Sequence, residues 1–384
     1  MTLPSPLGPA LSGPGPSGAR AAAPLARLPF LTAHAGCGGR LKQTPEDFRV
    51  EELPLYRPGG SGEHLYLLVE KRGLTTPALL AHLRRALQVP PQALGHAGLK
   101  DAQAVTRQWI SVHSRADLPL EGVETPALRI LEVSRHTNKL RRGHLAGNRF
   151  AVVLRGALPP PGFADLLNTL SHRGFPNYFG PQRFGARGDN GPRGRALLLG
   201  QAQPGRGRIP PETRRFLINA YQAALFNRLL ATRLAALGRL DTLLPGDRAV
   251  LHANGASFAV DDAGLAAAQA RADDRELSPS APLFGYKTPL AEGRPGQWER
   301  DLLAEEGLAL ETFRLGGKKD SPAGERRPVR ALPADLACEA LALDDGPALR
   351  LSFTLPAGVY ATSLLREAMQ TAATPPDSAE GDDG

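Results

Sequence analysis

The run Gly98-Leu99-Lys100-Asp101-Ala102-Gln103-Ala104-Val105-Thr106-Arg107-Gln108 sets a carboxylate beside a cation, just ahead of a strand-like segment that carries polar side chains. A neighbouring positive charge favours the ionised form of Asp101, the state a nucleophile or base requires. The same letters also suit a Lys-Asp turn in which the aspartate caps main-chain N–H groups. Taken alone, the run leaves both open.

Upstream, alternating apolar residues in Phe48-Arg49-Val50-Glu51-Glu52-Leu53 and His64-Leu65-Tyr66-Leu67-Leu68-Val69, separated by Gly59-Gly60-Ser61-Gly62, predict paired strands. Thr76-Pro77 opens a helix whose Leu79, Leu83 and Leu87 recur at helical spacing and form a core stripe. Downstream, strands are predicted over 106–113, 128–133 and 148–155, and a helix over 163–172. Strands and helices mix without a βαβ cadence, which predicts an α+β fold with a mixed, largely antiparallel sheet flanked by helices.

At Gly174 the texture changes to an aromatic-rich stretch, a glycine-rich stretch and then a long amphipathic helix over about 212–237. A strand over 348–355 and a helix over 359–369 then return to the style of the first part. The expected organisation is a discontinuous domain, 37–173 with 332–371, interrupted by an inserted α+β domain, 174–331. Residues 1–36 and the acidic stretch 372–384 are expected to be disordered tails.

The chain has 384 residues and a net charge of +8, which favours a polyanionic partner. Only seven of the 46 basic residues are lysines, so an arginine-rich composition bias accounts for part of that charge. No apolar run approaches the ~18 residues of a membrane helix. Cys37 and Cys338 lack C-x-x-C spacing and a histidine cluster, so no metal site is expected and a reducing cytoplasm fits. The glycine-rich stretch 185–194 lacks the order of a phosphate-binding loop.

Four further runs accompany the first. They are Leu41-Lys42-Gln43-Thr44-Pro45-Glu46-Asp47-Phe48, Leu140-Arg141-Arg142-Gly143-His144-Leu145-Ala146-Gly147-Asn148-Arg149-Phe150, Asn177-Tyr178-Phe179-Gly180-Pro181-Gln182-Arg183-Phe184-Gly185, and Leu355 through Glu367. In content and order the five resemble the TruD family of tRNA pseudouridine synthases. The resemblance implies a pseudouridine-synthase core with an inserted TRUD domain. It also implies that a uridine in tRNA, at position 13, is isomerised without cofactor by a catalytic aspartate, here Asp101. Where the family leads one to expect a serine-rich start to the long helix, this chain has Asn219-Ala220-Tyr221-Gln222.

Isomerising uridine means breaking the N1 glycosidic bond, turning the uracil and rejoining it through C5, so the base has to leave the stack for a pocket. On the family match Phe48 and Phe150 are the flat walls, Asn148 reads the uracil edge or orients Asp101, and Lys42 pairs with Asp101 or a phosphate. Lys100 is a weaker candidate for substrate binding, since in an extended chain it points away from Asp101. Arg141, Arg142, Gln182, Arg183 and Arg187 are the candidate RNA contacts. The competing class is a non-catalytic tRNA-binding or RNA-folding module on the same scaffold, which would not need Asp101. A monomer is the favoured expectation.

Overall fold

In a computed structural model of the chain, residues 25–201, 209–316 and 321–370 are described. The expected tails at 1–24 and 371–384 lie outside the described residues. Strand β1 (Phe48–Pro54) is followed by β2 (His64–Arg72), helix α1 (Thr76–Ala86), β3 (Leu94–His96), β4 (Val105–His113), β5 (Leu128–His136), β6 (Leu145–Arg155) and helix α2 (Phe163–Arg173). The alternation that predicts β1 is observed directly, with Phe48, Val50 and Glu52 facing inward, but β1 and β2, expected to pair with each other, lie on either side of β4. Helix α1 starts where Thr75 accepts a hydrogen bond from the Ala78 N–H and buries Leu79 and Leu83 against β2 and β4.

The main sheet is closed from the far end of the chain. Strands β13 (Ala334–Leu343) and β14 (Gly346–Pro356) form a hairpin, and β14 lies antiparallel to β6, giving the order β13-β14-β6-β1-β4-β2-β5 with β3 on β4. Every pairing is antiparallel except β1 with β4. That parallel pair, Arg49 against Val105, brings the chain entering β1 next to the chain entering β4. Helix α2 and helix α7 (Ala361–Met369) cover one side of the sheet, packing Leu166, Leu170, Leu364 and Leu365 onto Val152, Leu351 and Phe353.

Between these parts lie β7 (Phe175–Pro176), α3 (Asn190–Leu198), the long α4 (Pro211–Leu237), β8 (Arg248–Leu251), β9 (Ser257–Ala259), α5 (Leu265–Asp273), β10 (Leu277–Leu283), α6 (Gly293–Glu305), β11 (Glu325–Pro328) and β12 (Arg330–Ala331). Strands β11-β10-β8-β9 make a second sheet with its own core around Phe226, Phe284 and Phe313. The chain leaves the main sheet through β7 and returns through β12, and these two short strands pair with each other.

Residues 25–36, expected in a disordered tail, are folded against the rest. Leu25 and Leu28 are buried in the core of the middle region. The fully buried Arg366 donates to the carbonyls of Leu28 and Pro29 and lies 3.7 Å from the centre of the Phe30 ring, while the Leu31 N–H donates to Glu367. The reason is local: a buried guanidinium with more donors than one carboxylate can accept recruits main-chain carbonyls from a segment that is itself apolar. Among the described residues no helix is long and apolar enough to cross a membrane.

Candidate active site

Asp101 precedes β4 at the end shared with the start of β1, and there its carboxylate meets Lys42 from 59 residues upstream. Lys42 Nζ donates to Asp101 Oδ2 at 2.8 Å, with the lysine side chain nearly buried and the aspartate about one third exposed. Lys42 reaches this place with a left-handed main chain, φ 53°, a conformation that a non-glycine residue adopts only where the surroundings impose it. The following turn is locked by Asp47, which accepts the Thr44 N–H and the Arg155 guanidinium. Burial opposes ionisation of Asp47, and the Arg155 and Thr44 hydrogen bonds more than offset it, holding its carboxyl below the ordinary value.

The other oxygen of Asp101 is taken from the middle of the chain. Gln182, in the turn Pro181–Arg183, donates Nε2 to Asp101 Oδ1 at 2.9 Å. The sequence places Gln182 among RNA contacts; in the structure its amide is on the carboxylate.

The Lys100 ammonium has other partners. Its Nζ lies 2.9 Å from Glu52 Oε2 and donates to Asn148 Oδ1 at 2.9 Å. Burial raises the Glu52 carboxyl above its ordinary value, and Lys100 partly counters this. The Lys100 N–H donates to Thr76 Oγ1, which itself hydrogen bonds Gln108. Lys71, fully buried at the end of β2, donates to the carbonyl oxygens of Asp101, at 2.8 Å, and Leu74. Desolvation depresses the Lys71 ammonium to about 8, with the Asp101 charge opposing that shift. Asp101 is thus held by side-chain donors in front and a buried cation behind.

Glu52 and Lys71 were absent from the sequence-based candidates. Both carried a signal: each is a charged residue at an inward-facing position of its strand, in line with Phe48 and Val50, or with Leu65, Leu67 and Val69.

Phe48 and Phe150 are both buried and packed. Their rings meet edge to face at 6.1 Å, Phe150 stacks on Phe353 at 5.1 Å, and Lys42 Nζ sits 4.4 Å from the centre of Phe48. Arg141 and Arg142 are exposed on a turn whose Gly143 N–H donates to the Ala97 carbonyl, tying it to the loop that carries Asp101. The Arg183 guanidinium lies 5.4 Å from the Phe179 ring, and Arg187 is exposed on the surface. The structure therefore gathers Lys42, Asp101 and Gln182 directly and joins Lys100, Asn148 and Glu52 in a second cluster.

Fold and site define a protein of the aspartate-centred kind, in which the main sheet and the stretch between β7 and β12 meet at one carboxylate. The family model described as tRNA pseudouridine synthase D (TruD) matches residues 25–204 and 199–368. The chain is similar to the protein named tRNA pseudouridine synthase D of Anaeromyxobacter dehalogenans strain 2CP-C, 46% identical over 91% of this chain and 99% of that one. It is also similar to a protein of that name in Thermus thermophilus, 45% identical over 92% of this chain and 98% of that one. The crystal structure of a Methanosarcina mazei chain described under the same name superposes with a TM-score of 0.74 at 26% identity, covering 89% of this chain and 96% of that one. The chain belongs to the TruD family.

Proposed function

We propose that this protein isomerises a uridine in tRNA, at position 13, to pseudouridine, with Asp101 as the catalytic residue. The observation that carries the proposal is the Asp101 carboxylate, partly open to solvent and held by Lys42 and Gln182 where the sheet meets the insertion. An ionised carboxylate serves each first step open to this chemistry: attack at C1′ of the ribose, attack at C6 of the uracil, or removal of a sugar proton to give a glycal. In every case the N1–C1′ bond breaks, the C5–C1′ bond forms, the C5 proton leaves and N1 gains one.

In this reading Phe48 and Phe150 wall the base pocket, and Asn148 presents its amide to the uracil with its orientation set by Lys100. Arg141, Arg142, Arg183 and Arg187 supply phosphate contacts, to which the positive net charge adds long-range attraction. Residues 37–173 with 332–371 act as the catalytic domain and 174–331 as the RNA-facing insertion, in a cytoplasmic monomer.

The test is Asp101→Asn, assayed for pseudouridine in tRNA by chemical derivatisation and primer extension, with tRNA affinity measured in parallel. The expected result is product from the wild type and none from the variant, at unchanged affinity. Full activity in the variant would overturn the catalytic role of Asp101, and no product from the wild type on any tRNA would favour a tRNA-binding module.

A further inference from the structure

Gln182 touches the candidate catalytic carboxylate from the inserted part of the chain, 81 residues away in sequence. Its turn is anchored from several sides. Ser363 Oγ donates to the Tyr178 carbonyl, the Phe179 N–H donates to Asn227 Oδ1, and Asn227 Nδ2 returns a bond to the Phe179 carbonyl. Asn177 is held by the Pro328 carbonyl and by Arg327, which also donates to the Gly358 carbonyl. At Gly180 a Cβ would stand 2.6 Å from Thr362 Oγ1, so the turn lies flush on the start of α7. The residue at the tip of this braced turn is itself exposed, and its amide nonetheless ends on Asp101.

We infer that Gln182 is a positioning residue for the reaction, fixing Asp101 Oδ1 while Lys42 fixes Oδ2, so that the insertion conditions the chemistry as well as gripping RNA. This rests on the isomerase reading above. The two donors differ in kind. Lys42 brings a charge, whereas Gln182 brings a directed N–H without adding a second cation, which sets the plane of the carboxylate. An RNA contact at position 182 would act on substrate affinity; a positioning contact acts on the chemical step.

The experiment uses the full-length protein and full-length tRNA, comparing wild type, Gln182→Ala, Gln182→Glu and Asp101→Asn in pseudouridine formation, with tRNA affinity measured by filter binding. Gln182→Ala is expected to lower kcat by about 10- to 100-fold, the range of one charge-assisted hydrogen bond, with KM and tRNA affinity within about twofold. Gln182→Glu keeps the shape but faces Asp101 with a like charge, so at pH 8 it falls below Gln182→Ala. As pH drops toward the ordinary glutamate range, the protonated carboxyl donates and the ratio of Glu to Ala variant rises. The charged groups facing position 182, namely Asp101, Lys42 and Arg183, are the same in both variants.

A Gln182→Ala variant with full kcat, or with its defect confined to KM and tRNA affinity, would overturn the assignment in favour of an RNA contact. A flat Glu-to-Ala ratio would overturn it as well. An inactive wild type sinks the isomerase reading instead, and an active Asp101→Asn variant removes the carboxylate that Gln182 is argued to position; both are read in the same assay.

Discussion

Lys71 Nζ donates to the main-chain carbonyl of Asp101 at 2.8 Å from a side chain with no exposure to solvent. With its ammonium depressed from 10.5 to about 8 by desolvation, the native state releases that proton near pH 8, while the unfolded chain keeps it to about 10.4. Between those values the unfolded state binds more protons, so this group makes stability rise with pH. The difference in unfolding free energy between wild type and Lys71→Met should therefore vary across pH 8 to 10 with a slope approaching about 1.4 kcal/mol per unit. Urea denaturation of both proteins at several pH values measures it, and a pH-independent difference would refute the buried-ammonium account.

Lys42 holds Asp101 from a left-handed backbone. Lys42→Ala and Lys42→Gly should both lose about 10- to 100-fold in kcat, since each removes the charged donor. Glycine accepts a positive φ without strain, so the glycine variant should be the more stable of the two, by about 0.5–1 kcal/mol. Paired thermal melts and activity assays separate the effects; equal stability would argue that the conformation stores no strain.

Glu52 and Lys100 form an ion pair in which both side chains are buried. Removing one partner strands a charge, so Glu52→Ala should destabilise by about 3–5 kcal/mol. Replacing both, as Glu52→Leu with Lys100→Met, should recover much of that loss while pseudouridine formation stays impaired, because Asn148 loses the ammonium that orients it. Chemical denaturation of the single and double variants gives the coupling directly.

The segment around Leu28 is fastened to α7 by Arg366 and Glu367. Deleting residues 1–32 should lower the melting temperature by several degrees at least, by exposing buried apolar surface and taking from the Arg366 guanidinium its Leu28 and Pro29 carbonyl acceptors. Burial raises Glu367 to about 7, so between its ordinary value of 4.5 and about 7 the native state holds a proton that the unfolded state lacks. That group's contribution is complete below the ordinary glutamate value and is lost as pH rises through about 7. Glu367→Gln should flatten that part of the stability profile in thermal melts between about pH 5 and 8.

Much of the main sheet was legible because its strands follow simple rules. In β1 and β2 apolar residues alternate, and α1 declares itself by a threonine cap, a proline and a leucine stripe. Strand β13 was not legible, since it is an exposed edge rich in alanine whose pattern carries little contrast. The short strands of the insertion, such as Arg248–Leu251, fall below the length at which alternation can be read. Asp101 and Lys42 were found through their runs. Gln182 on Asp101 was invisible, because nothing local records a contact between residues 81 positions apart.

The pairing of Arg330 with Pro176 and Ala331 with Phe175 brings the two ends of a long excursion side by side. A segment whose ends already touch places little demand on the length or content of what lies between them. The stretch between these two strands can therefore change in length at little cost to the pairing that closes it. One contact ties that stretch to the loop ahead of β4: the Gln182 amide, from within it, donates to the Asp101 carboxylate.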